Sequence, residues 1–558
     1  MLGCGFFGCG TESSFDTVPA GGPYMSDISS GTSNGIDPML ADSQNGHIAD
    51  LGGGDANVMD GGGREISDAS NPSFMPCQDF TGTPNVGGTV WYDGLKSAAV
   101  SVQETAGCQR TYLLSTDEEL MDGLPGNPRT VVESESQPSL RTGHALFDAL
   151  YALALNEVAE NSVDVVSDGG FNNGQPVACG VEGCFETGRK WTYVWTRDTA
   201  YSVDLGLSGL SPLRSRNSLL FKVSPRRDGS DIQIIQDTGS GGSWPVSTDR
   251  VSWVLGAAST LAHLSDDAAS GFLEVVRDAV INTVEYDRLH VFDPILGLYR
   301  GEQSFLDWRE QSYPGWTANN VSDIAMSNAL STNVLHFRAL RMASDVSTNP
   351  LQAAQYHEWA TSLREAINDR LWLAGDGLYS TYITTALDPR PAHRYDLLGL
   401  SLAVLSDIAT PEQMRSVLEK YPHYGPGAPV LWPQQQDIPI YHNRGEWPFV
   451  TAYWLRAAAK VRNDAVAARM MAALVRGSAL NLSNMENFEA SSGANYQAEG
   501  ATSGPVVNSQ RQLWSVAGYL SMVQHTLFGV HVRYRFDTKI RELMVSPYLP
   551  RTIRRSWF

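Results

Sequence analysis

The sequence predicts an all-α fold: an (α/α)6 six-hairpin toroid preceded by a small, partly β N-terminal segment. Three observations predict it. From Thr142 onward apolar residues recur with the 3.6-residue period of helices. Several helical runs are joined in pairs by only a few residues, the mark of antiparallel neighbours. Between the pairs stand long stretches dense in Trp, Gly and carboxylates that no helix explains.

Taken in order, residues 1–9 open the stretch MLGCGFFGCGTESS, short and apolar with small residues before each cysteine. This resembles the tail of a bacterial lipoprotein signal, with Cys9 as the cysteine to be lipidated and Cys4 as the second choice. Membrane anchoring through Cys9, and an extracytoplasmic place in the periplasm or on the outer membrane of a bacterium, are expected from it. Residues 10–65 are Gly, Ser, Asp and Asn with hardly an aromatic, ending in LGGGDANVMDGGG, and read as a flexible tether. Residues 66–140 carry short apolar runs such as GGTVWYDGL and RTYLL broken by Gly and Pro, which read as strands.

Residues 141–558 form the predicted barrel. Helices are expected near 143–160, 197–209, 211–222, 249–264, 267–286, 322–344, 349–371, 394–406, 409–420, 446–461, 463–479 and 509–527. Short links fall at 209–211, 264–267, 344–349, 406–409 and 461–463. Twelve helices make six hairpins, and six hairpins close into a ring. If the short turns lie at one end, five long stretches must gather at the other, around one mouth.

Composition narrows the chemistry. With 61 acidic and 40 basic residues the formal charge is −21, a surface that repels phosphate backbones and anionic lipid, so nucleic acid is not an expected partner. No apolar run approaches the roughly 20 residues that span a bilayer. Of six cysteines, Cys179 and Cys184 lie close enough to close a small loop, and disulfides suit an oxidising compartment. No cofactor is expected and no metal ligand is assigned. His442, His423 and Asp437 are the nearest to a metal set but read better as hydrogen-bonding groups.

The long stretches carry Trp191, Trp195, Trp244, Trp308, Trp316, Trp432, Trp447 and Trp514, out of 14 tryptophans in the chain. Indole faces stack on sugar rings while carboxylates and guanidinium bind hydroxyls in pairs, so the enrichment points to an oligosaccharide substrate. KWTYVWTRDTAYSVDLGL crowds such aromatics around Arg197 and Asp198, with Thr196 expected as the N-cap of the helix that follows. Two carboxylate groups stand far apart in sequence, Asp307 with Glu310 in SFLDWREQSYPGW and Glu486 with Glu489 in NMENFEASSG. Glycoside hydrolysis needs two such groups on opposite sides of the bond, roughly 6.5–9.5 Å apart when water attacks directly.

The ordered motifs WTYVWTRDTAY, GGSWPVSTDR, SFLDWREQSYPGW, YHNRGEWPFVTAYW, MENFEASSG and NSQRQLWSVAGYL resemble the six-hairpin glycosidase superfamily. That group includes glucoamylases, trehalases, processing α-glucosidases and amylo-α-1,6-glucosidases. The resemblance implies an inverting hydrolase, expected to take an α-linked, gluco-configured oligosaccharide; ring closure by loops with many bulky residues suggests a blind pocket and hence exo action. Within it LDWREQ is similar to the general-acid motif, with Glu310 preferred over Asp307. ENFE is similar to the motif of the base, with Glu486 preferred over Glu489. Arg197 and Asp198 are implied to bind the terminal sugar. The motifs are expected to add further substrate contacts from Trp195, Asp237, Trp244, Asp249, Trp308, Arg309, Tyr313, Trp316, His442, Arg444, Glu446, Trp447 and Gln510. A phosphorylase on the same barrel would need cationic or hydroxyl donors where ENFE supplies carboxylates. A polysaccharide lyase would want a basic cleft. A noncatalytic sugar-binding lipoprotein is the third rival, and loss of the paired acids would leave its binding intact.

Overall fold

The computed structural model describes residues 89–104, 109–237, 244–305, 313, 320–385, 388–435, 441–495 and 508–554, all within a unit running from Met75 to Phe558. Cys4, Cys9, Cys77, Cys108, the tether, Asp307, Trp308, Arg309, Glu310, Trp316 and Asp437 lie outside the described residues.

The N-terminal segment is an antiparallel meander of β1 (Thr89–Tyr92), β2 (Ser97–Glu104), β3 (Arg110–Thr116) and β4 (Arg129–Val132), in that order. Alternation along β3 buries Tyr112 and Leu114 while Leu113 stays exposed, so one face of the sheet packs onto the helices behind it.

Helices follow at the expected places. The first are α1 (Ala145–Glu160), α2 (Thr196–Ser202, continuing through a π-helical turn Val203–Leu207 to Ser208–Leu210), α3 (Pro212–Leu220), α4 (Asp249–His263) and α5 (Asp266–His290). A short α6 (Val321–Ala325) precedes α7 (Leu330–Val346), then come α8 (Pro350–Leu371), α9 (Leu397–Leu405) and α10 (Pro411–Lys420). The last of the barrel are α11 (Pro448–Val461), α12 (Asp464–Asn481) and α13 (Leu513–Ser521, running on as a π-helical turn Met522–Leu527). The span expected as one helix over 322–344 is broken between α6 and α7, where Asn328 and Ala329 turn extended and pair with Tyr382 and Ile383.

Helices α2, α4, α7, α9, α11 and α13 each pack on the next, and α13 packs back on α2, so the six form a closed inner ring. An inner helix is covered on all sides and is apolar all round, as LLGLSLAVL in α9 shows. Outer helices keep a charged face; α5 buries Phe272, Val276, Ala279 and Val280 and leaves most of its Asp, Glu and Arg residues outward. Two glycines permit close crossing in the ring. A Cβ on Gly256 of α4 would stand 3.2 Å from Ala200 Cα of α2, and one on Gly518 of α13 would stand 3.2 Å from the Pro448 carbonyl of α11.

Every link from inner to outer helix is short. The α11–α12 link consists of Arg462, in the left-handed region at φ 58°, and Asn463, whose side chain caps α12. Before α10, Thr410 and Gln413 form a capping box and Pro411 takes the first helical position. Every link from outer to inner helix is long, so all six inner N-termini meet at one end. A sixth long connection, 372–396 ahead of α9, joins the five expected from the sequence. The sixth hairpin is not contiguous: the outer partner of α13 is α1, from the other end of the barrel sequence.

Candidate active site at the barrel mouth

The inner N-termini set the electrostatics of the mouth. A helix start exposes unpaired N–H groups and the positive end of its dipole, which favours acceptors and carboxylates there. The structure supplies them. Thr196 begins α2 rather than capping it; its amide donates to Asp237 Oδ1 at 3.1 Å and its hydroxyl to the Ile235 carbonyl. The Asp237 amide donates in turn to Asp249 Oδ2 at 2.8 Å, and Lys222 ion-pairs with the Asp237 carboxylate. Asp249 is fully buried and faces Arg197, with Nε 3.5 Å from Oδ1.

Arg197 also donates to the Ser304 carbonyl at 2.9 Å, and Asp198 accepts from Gln512 Nε2 at 3.3 Å. Both residues are buried. The first turn of α2 is thereby tied to the connections ahead of α7 and α13. A second relay links Gln303 Nε2 to Thr381 and Thr381 to Asp396 at the start of α9. Burial raises the Asp396 carboxyl to about 6, against the amide of Gly399 and the hydroxyl of Thr381, which favour its ionised form.

Glu486 is buried, with Oε1 accepting from the Tyr441 hydroxyl at 3.2 Å. Its amide donates to the Ser509 carbonyl and to Asn508 Oδ1. Tyr441 brings the connection ahead of α11 against the one ahead of α13. Beside it Phe305 meets His442 at 5.0 Å and Trp447 at 4.9 Å between ring centroids, while Phe449 stacks on Trp514 at 4.1 Å. The His442 imidazole has no exposure, and burial, with Arg197 nearby, holds its pKa well below the usual value. Phe305 is the last described residue before Asp307 and Glu310 in the sequence.

Other expected site residues stand elsewhere or do other work. Glu489 accepts from Arg444, from the amides and hydroxyls of Ser491 and Ser492, and so braces its loop. Burial opposes its charge, but those donors bring its pKa down to about 2. Glu446, on a strand paired with Phe488–Glu489, is pressed against Gly427, where a Cβ would overlap its carboxylate. Burial pushes its pKa up to about 8; Arg476 opposes the shift and Glu489 adds to it. Tyr313 stacks on Tyr382 at 4.7 Å in a separate apolar cluster and bonds Ser327. Gln510 donates to the carbonyls of Met121 and Leu124, tying the N-terminal segment to the barrel. Trp195 meets Phe171 and Tyr193 edge-on. Trp244, 37% exposed, leans on Tyr286 and His290 at the end of α5 and donates to Asp287.

Sequence reasoning singled out neither Tyr441, which lies next to His442 in the quoted motif, nor Gln512 and Asn508. Asp396 falls inside the helix expected near 394–406, whereas it stands just ahead of α9 as its N-cap. His423 accepts from Trp454 Nε1 at 3.0 Å. Among the described residues no three His, Cys, Asp or Glu side chains are grouped to hold a metal, and no helix is long and apolar enough to cross a membrane. Cys179 and Cys184 form a disulfide.

No known family's sequence pattern matches the chain, and no curated protein does. Its fold is similar to that of a sialidase, with 12% identity and a TM-score of 0.50 over 70% of this chain and 34% of that one. The GH78 family rhamnosidase of Bacillus sp. GL1 is 17% identical with a TM-score of 0.49, covering 73% of this chain and 37% of that one. The GH63 mannosylglycerate hydrolase from Thermus thermophilus is 14% identical with a TM-score of 0.48, covering 67% of this chain and 100% of that one. The chain thus spans little more than a third of the length of the first two. At these identities the likeness is one of fold.

Proposed function

We propose that the chain is an inverting, exo-acting glycoside hydrolase that takes an α-linked, gluco-configured oligosaccharide. The observation that carries the reading is Glu486: a carboxylate in the mouth of the helical ring, steadied by the Tyr441 hydroxyl, with an aromatic floor beside it. In this reading Glu486 takes a proton from water as that water attacks the anomeric carbon. Glu310 or Asp307 protonates the departing glycosidic oxygen from the other side of the bond. Arg197 and Asp198 bind hydroxyls of the terminal sugar, held in place by Asp249, Ser304 and Gln512. Glu486 is preferred to Glu489 as the base, because the donors of Ser491 and Ser492 that hold the Glu489 carboxylate and bring its pKa down to about 2 leave it a weaker proton acceptor. The Cys179–Cys184 disulfide supports an extracytoplasmic setting.

The test is release of reducing sugar from a panel of α- and β-linked oligosaccharides, with the anomer of the product followed by NMR. Glu486→Gln is expected to lower kcat by about 100- to 10,000-fold, the usual worth of a general base, and Glu310→Gln or Asp307→Asn to do the same. The product should carry the inverted anomeric configuration. Sugar binding with no hydrolysis in the wild type, unchanged in the variants, would replace the hydrolase with a binding protein.

A further inference from the structure

At the end of the barrel away from the mouth, α2 and α13 share an irregularity. Both loosen into π-helical turns, Val203–Leu207 and Met522–Leu527, and Gly206 in the first adopts φ 151°. Such turns re-aim side chains within a helix and recur at functional sites. Between them lies a cavity of about 310 Å3, whose lining includes Gly209, His263, Gln524, Phe528, Val530 and Val532. That volume lies at the lower end of the roughly 300–1,000 Å3 of small-molecule sites.

The cavity has two chemically different sides. On one, α2 ends at Leu210, α4 at His263 and α13 at Leu527. Three helix C-termini present carbonyls, which accept and so favour hydrogen donors; α3 and α5 begin beside two of them, at Pro212 and Asp266, and their positive ends offset the dipoles. His263 fits that side. Its Nδ1 lies 2.9 Å from the Ser259 carbonyl, which can only accept, so Nδ1 carries the hydrogen and Nε2 is left as an acceptor. Nε2 lies 3.5 Å from the point where a Cβ on Gly209 would stand. Burial lowers the pKa of this ring, which keeps it neutral.

The other side is apolar and continues outward. Val530 pairs with Val545 and Val532 with Leu543 across the C-terminal hairpin, so all four share a face. Leu543 and Val545 on that face, and Phe528 beside it, are exposed. The cavity therefore opens onto an uncovered apolar strip.

We propose that this cavity binds a small amphiphile, its apolar body against Phe528, Val530 and Val532 and a hydroxyl or ammonium head donating to His263 Nε2. The site is separate from the mouth and does not depend on the hydrolase reading.

Isothermal titration of the full chain with hexan-1-ol, hexylamine and hexanoate tests it. The alcohol or the amine is expected to bind saturably at one site, and hexanoate, whose head only accepts and offers no hydrogen to His263 Nε2, at least about tenfold more weakly. Gly209→Leu should abolish that binding while leaving the circular dichroism spectrum and any sugar release unchanged. His263→Phe should keep the apolar wall and reduce the alcohol and the amine to the affinity of hexanoate; it decides the matter if Gly209→Leu does not fold. Failure of both the alcohol and the amine to saturate, equal binding of hexanoate, or undiminished binding in the folded variants would each overturn the proposal.

Discussion

Glu446 and Glu489 stand on paired strands and are driven in opposite directions, one by burial against Gly427, the other by the donors of Ser491, Ser492 and Arg444. Each makes stability depend on pH with its own sign. An unfolded glutamate titrates near 4.5 and Glu446 near 8, so the stability its protonated form contributes is complete below about pH 4.5 and is lost as the pH rises to about 8. Glu489 does the reverse: its contribution is complete above about pH 4.5 and is lost as the pH falls to about 2. Urea-unfolding midpoints measured from pH 2 to 9 should therefore fall on both sides in the wild type. Glu446→Gln is expected to make the alkaline side shallower, with Asp396, raised to about 6, keeping part of its slope, and Glu489→Gln to make the acid side shallower while lowering stability at pH 7; unchanged slopes would refute both assignments. The sequence held a cue to the role of Glu489, because serines two and three residues after a carboxylate make a local hydrogen-bonded turn. It held none for Glu446, whose environment is made by Gly427 and Arg476 from other elements.

The helices were legible because each is long enough to display its period, and because Pro, Asn and Thr mark starts such as those of α8, α10 and α12. What escaped was set by contacts between elements. The break between α6 and α7 exists because Asn328 and Ala329 pair with Tyr382 and Ile383 from the next connection, and periodicity does not register a partner so far along the chain. That same connection, 372–396, is hidden at its end because Asp396 lies within the span expected as a helix near 394–406, although the helix begins at Leu397. Tryptophans in loops suggest a sugar-stacking surface, yet Trp447 and Trp514 are almost wholly buried and build the floor. Packing between inner helices makes its own prediction. A Cβ on Gly518 would come within 3.4 Å of Phe449 Cα and closer still to the Pro448 carbonyl, backbone that cannot swing aside. Gly518→Val should cost about 1–3 kcal/mol of stability, read as a drop in the urea midpoint, whereas a neutral effect would mean that α11 and α13 can part without loss.

At the scale of the whole molecule, one rule of connection produces the site: short links from inner to outer helix, long links back. It sends six N-termini to one end and gathers residues as distant in sequence as Asp198 and Gln512 into hydrogen-bonding range. The alternation could be read from the sequence; the order of closure could not. Because α13 finds its outer partner in α1, the last stave of the barrel leans on the first. A ribosome delivers α1 early and α13 late, so the growing chain must hold an open arc, with the flank of α2 meant for α13 uncovered, until the final inner helix emerges. Arg197 and Asp198 lie beside that seam, and Asp198 gains its Gln512 contact only at closure. Closure of the mouth thus waits until α13 has emerged, and a chain cut short before Leu513 would carry most of the wall and no finished pocket.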